Sequence, residues 1–194
     1  MSTEYPPPSD DVLEHMAEEH VFYELHRTLE FAYFGNVLPM RHDLDPLVRA
    51  DLMAWSQSSI LEASLIHLRN ISDFLTKPRP TSKHAESDLV ADHYFVDHWS
   101  GRPDFIFGGD PGEHRTMLAE IHRRVAHLST QRYTVKGVGA FEWQQYVETQ
   151  FPILLQAFGR FLTDLQEHEP ERARWFDRSV DLLVNFRYLR PPPP

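Results

Sequence analysis

Residues Ile60 to Leu75 read ILEASLIHLRNISDFL, and the spacing of their apolar side chains decides the fold class. At ~100° per residue, Ile60, Leu61, Ala63, Leu65, Leu68, Ile71, Phe74 and Leu75 spread over more than half of a helix circumference. A surface helix carries a narrower stripe, so this one is expected to be covered by neighbours on several sides. Glu62, Arg69 and Asp73 gather in one polar sector, while His67 projects the other way, among Ile60, Ala63, Ile71 and Phe74. Arg69 and Asp73 have the i,i+4 spacing of an ion pair, which contributes ~0.3 kcal/mol. His67 reads as a hydrogen-bonded histidine of the core.

Outward from that stretch, helix signals dominate. Upstream, Asp45 is placed to cap a helix with Pro46 at its first position, and Lys77-Pro78-Arg79-Pro80 stops it after about Thr76. The long second helix that results is the expected centre of the fold. Before it, Ser9 or Asp10 caps a first helix with acids in its first turns. Its apolar face is Val21, Phe22, Leu25, Leu29 and Ala32, and Gly35 and Pro39 mark its end. After it, Ser87 to Val96 is predicted as a short helix, followed by a long ordered loop through Phe107-Gly108-Gly109-Asp110-Pro111-Gly112. Further helices are predicted over Glu113 to Leu128, over Phe141 to Gln166 with a kink at Pro152, and from Pro170 onward.

Composition agrees. The 194 residues fit one domain spanning 1–194, with extended Pro-rich tails at 1–8 and 191–194. With 41% hydrophobic residues and 13 Phe the chain can bury a core, and its 8 Gly and 15 Pro fall mostly in tails and connections. No Asn-Gly or Asp-Gly hairpin signal occurs. The expectation is an all-α helical bundle of five or six helices.

Several functions are excluded. The chain has no cysteine, which removes disulfides, thiolate catalysis and Cys-ligated metal clusters and fits a reducing cytosol. The start, MSTEYPPPSDD, lacks the apolar run of a signal peptide, and no run of 18 apolar residues exists, so a cytoplasmic protein without membrane contact is expected. There is no Gly-x-Ser-x-Gly elbow and no Ser-x-x-Lys, and the Gly108-Gly109 loop has no following Lys-Ser or Lys-Thr for phosphate. Among the 12 His, no two stand three or four apart; His15/His20, His93/His98 and His122/His127 are five apart, ~140° around an α-helix. Neither a metal nor any other cofactor is expected.

Charge leaves one candidate. The net charge of −10 argues against indiscriminate nucleic-acid binding. Glu4 to Glu30 carries eight acids against Arg27, but His114 to Lys136 holds Arg115, Arg123, Arg124, Arg132 and Lys136 against Glu120 alone. Within IHRRVAHLSTQR (Ile121 to Arg132), Glu120, Arg123 and His127 fall on one helix face, and His122 and Arg124 flank the apolar stripe. An Arg beside a His can hold a phosphate while the imidazole moves a proton. The plain alternative is an outward charged face with Glu120 paired to Arg123 or Arg124.

LIHLRNISDFL, then DLVADHYFVDHW, then IHRRVAHLSTQR resemble an uncharacterised family of bacterial all-helical proteins with Arg-Asn-x-x-Asp-Phe and Val-Ala-His-Leu-Thr-like segments. The resemblance covers Leu61 to Arg132 and brings no established activity. Arg124-Val125-Ala126-His127 more distantly resembles the end of the signature of HEPN domains, helical bundles that include metal-independent RNases. In that pattern an Arg precedes the His by four to six residues; here His122 stands where the Arg most often falls, and Arg123 leaves three intervening residues.

The leading expectation is a HEPN-like binding or accessory module. Its ligand is a nucleic acid or a phosphate-bearing molecule contacted by Arg123, Arg124, His127 and Arg69, with Asp73 beside them. If the chain is an enzyme, His127 is the acid/base and Arg123 the phosphate clamp. Two other classes stay open: a small-molecule or metal-binding bundle enzyme using His and carboxylates of the first helix, and a structural homodimeric interaction protein.

Overall fold

A computed structural model of the chain describes residues 7–37, 43–80, 88–121 and 143–186. Among the described residues there are six helices and no strand, so the chain is all-α. Helix α1 is built of three continuous segments, Asp10–His15, Met16–Val21 and Phe22–Val37, the middle one a π-helix. The others are α2 (Pro46–Thr76), α3 (Pro111–Ile121), α4 (Trp143–His168), α5 (Pro170–Ala173) and α6 (Asp177–Phe186), with a 3-10 turn Arg174–Phe176 joining the last two.

The ends of α2 follow from local chemistry. Asp45 accepts from the amides of Leu47 (2.8 Å) and Val48 (3.3 Å), pairing two of the donors that a helix start leaves open. Pro46 follows, where its missing N–H costs nothing. At the other end Lys77 is extended, as a residue before proline must be, and its amide returns to the Asp73 carbonyl.

Three differences from the predicted elements have physical causes. Of the predicted 87–96 helix, residue 87 lies outside the described residues, and within 88–96 only Ala91–Tyr94 is helical, as one 3-10 turn, because side chains from elsewhere claim the surrounding backbone groups. Helix α3 starts at Pro111, two residues early, since Asp110 Oδ1 caps it by accepting from Gly112 (2.6 Å) and Glu113 (3.0 Å) amides. Glu113 Oε2 in turn accepts from the Gly109 amide at 2.6 Å, and Gly108 makes the turn with a positive φ of 76°. These carboxylates hold the amides that a phosphate would need, so the Gly108-Gly109 loop is a helix cap. Finally, the last helix is broken into α5, the 3-10 turn and α6 rather than running on from Pro170.

Helix α2 packs along α1 and against α4 and α3, while α6 lies against α1. The core centres on Phe161 of α4, whose ring meets Phe74 (5.5 Å between centres), Trp99 (5.4 Å), Phe176 (5.2 Å) and Phe158 (5.7 Å). Leu65, Leu68, Ile71, Phe74 and Leu75 of α2 are all buried there, so neighbours do cover α2 over a broad arc.

The π-segment has an identifiable cause. Tyr94, fully buried, donates its hydroxyl to the Leu13 carbonyl at 3.0 Å, and Arg178 Nη1 donates to the Glu18 carbonyl at 3.0 Å. One outside donor thus takes up a carbonyl just before the segment and another a carbonyl within it, and the Phe22 amide reaches back five residues to Ala17. The buried residues of α1 then recur at a spacing of four from Leu13 through Ala17, Val21 and Leu25 to Leu29.

Candidate functional site

The polar sector of α2 lies at the edge of its buried arc. Arg69 Nε stands 3.8 Å from Asp73 Oδ2, and Lys77 Nζ is 3.3 Å from the same oxygen. The side chains are 34% exposed for Arg69 and 21% for Asp73, so this carboxylate is half-sheltered between two cations. Beyond it comes α3. His114, 4% exposed, accepts the Phe107 amide on Nδ1 at 3.2 Å. Its pKa is lowered by burial and pulled back up by the Asp73 carboxylate. Helix α3 therefore docks beside Asp73, on the polar border of α2.

Of the residues singled out in the sequence, Arg69 and Asp73 are thus brought together. Arg123, Arg124 and His127 lie outside the described residues. His67 behaves as a hydrogen-bonded histidine, 15% exposed, with Nδ1–H donating to Glu24 Oε2 at 2.6 Å. Asn70 Nδ2 donates to the same oxygen at 3.1 Å, and the Tyr23 ring lies edge-on to His67. This cluster ties α1 to α2.

A second constellation was not singled out from the sequence as a site. Asp92, in the 3-10 turn, is 3% exposed and meets three partners. The Trp99 amide donates to Oδ1, His98 Nδ1–H donates to Oδ2 at 2.8 Å, and Arg79 Nε lies 3.3 Å from Oδ2. Arg79 supplies the countercharge that a buried carboxylate requires. Its Nη2 also donates to the carbonyls of Asp92 (2.8 Å), Phe95 (2.7 Å) and Asp97 (2.5 Å), clamping the loop around the ring of His98. Trp99 Nε1 donates to Asp164 Oδ2 at 2.8 Å, fastening the loop to α4. A Cβ at residue 101 would stand 2.3 Å from Asp164 Oδ2 and 2.9 Å from Trp99 Nε1, so this hydrogen-bonded pair would have to shift to admit any side chain there.

His98 itself is 61% exposed. With Nδ1–H held by a buried carboxylate the tautomer and orientation of the ring are fixed. This is the carboxylate–imidazole arrangement used to orient a general base. The sequence signal for it was the DHYFVDHW segment, which entered through a resemblance and through the His93/His98 spacing; nothing in that spacing identifies Asp92 as the buried partner. Next to it, His93 is buried, accepts the Val90 amide on Nδ1 at 3.4 Å, and has its pKa lowered by burial and by Arg79 against the pull of Asp92.

Among the described residues, no three His, Asp or Glu side chains gather in a metal-ligating group, and no helix is long and apolar enough to cross a membrane. Comparisons of the chain with protein-family models, with curated proteins and with solved structures each returned no match.

Proposed function

We propose that this chain is a cytoplasmic, HEPN-like accessory module that binds a phosphate-bearing molecule or nucleic acid along the polar border of α2. Arg69 takes part with Arg123, Arg124 and His127, and Asp73 orients Arg69. One observation carries the reading: α3 docks on α2 beside Asp73, and the basic segment His114 to Lys136 begins within α3. In an acidic protein, that border is where an anion meets Arg with least repulsion. A single-stranded RNA oligonucleotide and inorganic phosphate are the probes, read by fluorescence anisotropy and by competition. Arg123→Ala with His127→Ala lowers affinity at least about tenfold, and Arg69→Ala flattens the salt dependence by about one phosphate contact. Unchanged affinity in the double variant overturns the reading.

A second reading, an enzyme working by acid/base chemistry, is favoured by Asp92 and His98. In this reading His98 is the acid/base in place of His127. RNA hydrolysis assayed with His98→Gln and with His127→Ala separates the two: loss only in the first assigns the chemistry to the Asp92–His98 pair.

A further inference from the structure

The π-segment of α1 changes what two of the histidines can do. In α-helical geometry His15 and His20 diverge by ~140° and cannot share a ligand. In a π-turn the hydrogen bond closes five residues on, so residues five apart stack as residues four apart do in an α-helix. The described geometry follows that rule. The imidazole rings of His15 and His20 are 5.7 Å apart between centres, at an interplanar angle of 80°, and both residues are exposed.

We propose that His15 and His20 form a two-ligand site for a late first-row divalent cation, Zn²⁺, Ni²⁺ or Cu²⁺, completed by water. Imidazole nitrogen suits these ions. With Zn–N bonds of about 2.0–2.1 Å, two imidazoles on one ion have ring centres roughly 5–6 Å apart. The observed spacing lies in that range, so rotation of exposed side chains is enough to converge both rings. The surroundings favour a cation: Asp11, Glu14, Glu18 and Glu19 lie on the same stretch of α1, within an N-terminal region of strongly acidic balance. Glu19 is held by Arg178 at 3.1 Å, and no third His, Asp or Glu joins the pair among the described residues. The ion therefore keeps open positions for water or for an added donor.

The site depends on the fold. The π-register exists because Tyr94 and Arg178 reach α1 from distant parts of the chain, so the pair converges only in the folded protein.

The test uses the untagged full chain titrated with ZnCl₂, and separately NiCl₂, at pH 7.5, followed by calorimetry and by ¹⁵N resonances of the histidine rings. One equivalent is expected, with the His15 and His20 resonances moving together. His15→Gln and His20→Gln each weaken binding at least tenfold, with unchanged helix content by circular dichroism. Lowering the pH to 5.5 weakens it too, because metal must displace protons. Full-affinity binding by the double variant, or saturation without movement of these two rings, overturns the proposal, as does absence of binding at 1 mM metal.

Discussion

Acidification is expected to loosen this protein from the loop between α2 and α3. His93 and His114 are both buried, and each uses Nδ1 to accept a backbone amide, from Val90 and Phe107 respectively. The proton of each neutral ring then sits on Nε2. Protonation places a second donor at Nδ1, facing an N–H, inside the protein. Burial is the largest cause lowering both pKa values; Arg79 adds to it at His93, while Asp92 and Asp73 oppose it in part. The sign follows from linkage. In the unfolded chain both histidines take up a proton near pH 6.5, whereas in the folded chain they do so only at lower pH. Between those values the unfolded state binds more protons, so stability is full above pH 6.5 and falls as pH drops through the window. The limiting slope is about 1.4 kcal/mol per pH unit per proton, which gives at most about 3 kcal/mol for the two by pH 5.5. Against a total stability of roughly 5–15 kcal/mol that is a large share. Urea unfolding by circular dichroism at pH 7.5 and 5.5 measures it. His114→Asn, whose Oδ1 accepts the Phe107 amide without titrating, removes up to half of the loss, and His93→Asn with it removes most. Equal stability of the native chain at the two pH values refutes the reasoning, as does an unchanged pH dependence in the double variant.

Phe161→Ala opens the aromatic centre of the core and is expected to cost about 3–5 kcal/mol, read as a lower urea midpoint. Gly101→Ala pushes a methyl against Asp164 and breaks the Trp99–Asp164 hydrogen bond. Its expected cost is about 1–3 kcal/mol, with loss of the near-ultraviolet Trp signal. Ser72 and Ser179 are fully buried with hydroxyls that have no hydrogen-bond partner among the described residues. Each serine-to-alanine change should leave stability equal or raise it by up to about 1 kcal/mol in thermal unfolding. A clear loss in either would mean that its hydroxyl is paired.

The helices were legible where local chemistry sets them. Asp45-Pro46 and Lys77-Pro78 bracket α2 in the sequence as they do in the structure, because capping and proline sterics involve only neighbouring residues. The Arg69–Asp73 pair was legible for the same reason, being one helical turn apart. What could not be read is long-range. His67 finds Glu24 across 43 positions, and no periodicity names that partner. Asp92 looks like any acidic residue of a polar segment until Arg79 and the Trp99 amide converge on it. The short 3-10 turn at Ala91–Tyr94 was over-read as a helix because apolar spacing over 87–96 says nothing of a guanidinium arriving to claim the carbonyls.

The π-segment has one more consequence, for how α1 tolerates changes in length. Residues four apart in an α-helix drift by ~40°, so the five buried positions from Leu13 to Leu29 would wind ~160° around a uniform helix. The wider turn takes part of that drift back and works as a splice, letting Asp10–His15 and Phe22–Val37 bury the same side despite their spacing. Removing one residue between Met16 and Val21 converts the splice to plain α-helix. Five α-helical residues turn about as far as the six π-helical ones, so the leading segment keeps its facing. Leu13 stays by the Tyr94 hydroxyl, and Asp10 by Arg172, its partner at 2.7 Å. The same deletion within Phe22–Val37, where no wide turn absorbs it, turns everything before it by ~100° and breaks both contacts. The first helix therefore tolerates the loss of one residue at a single turn.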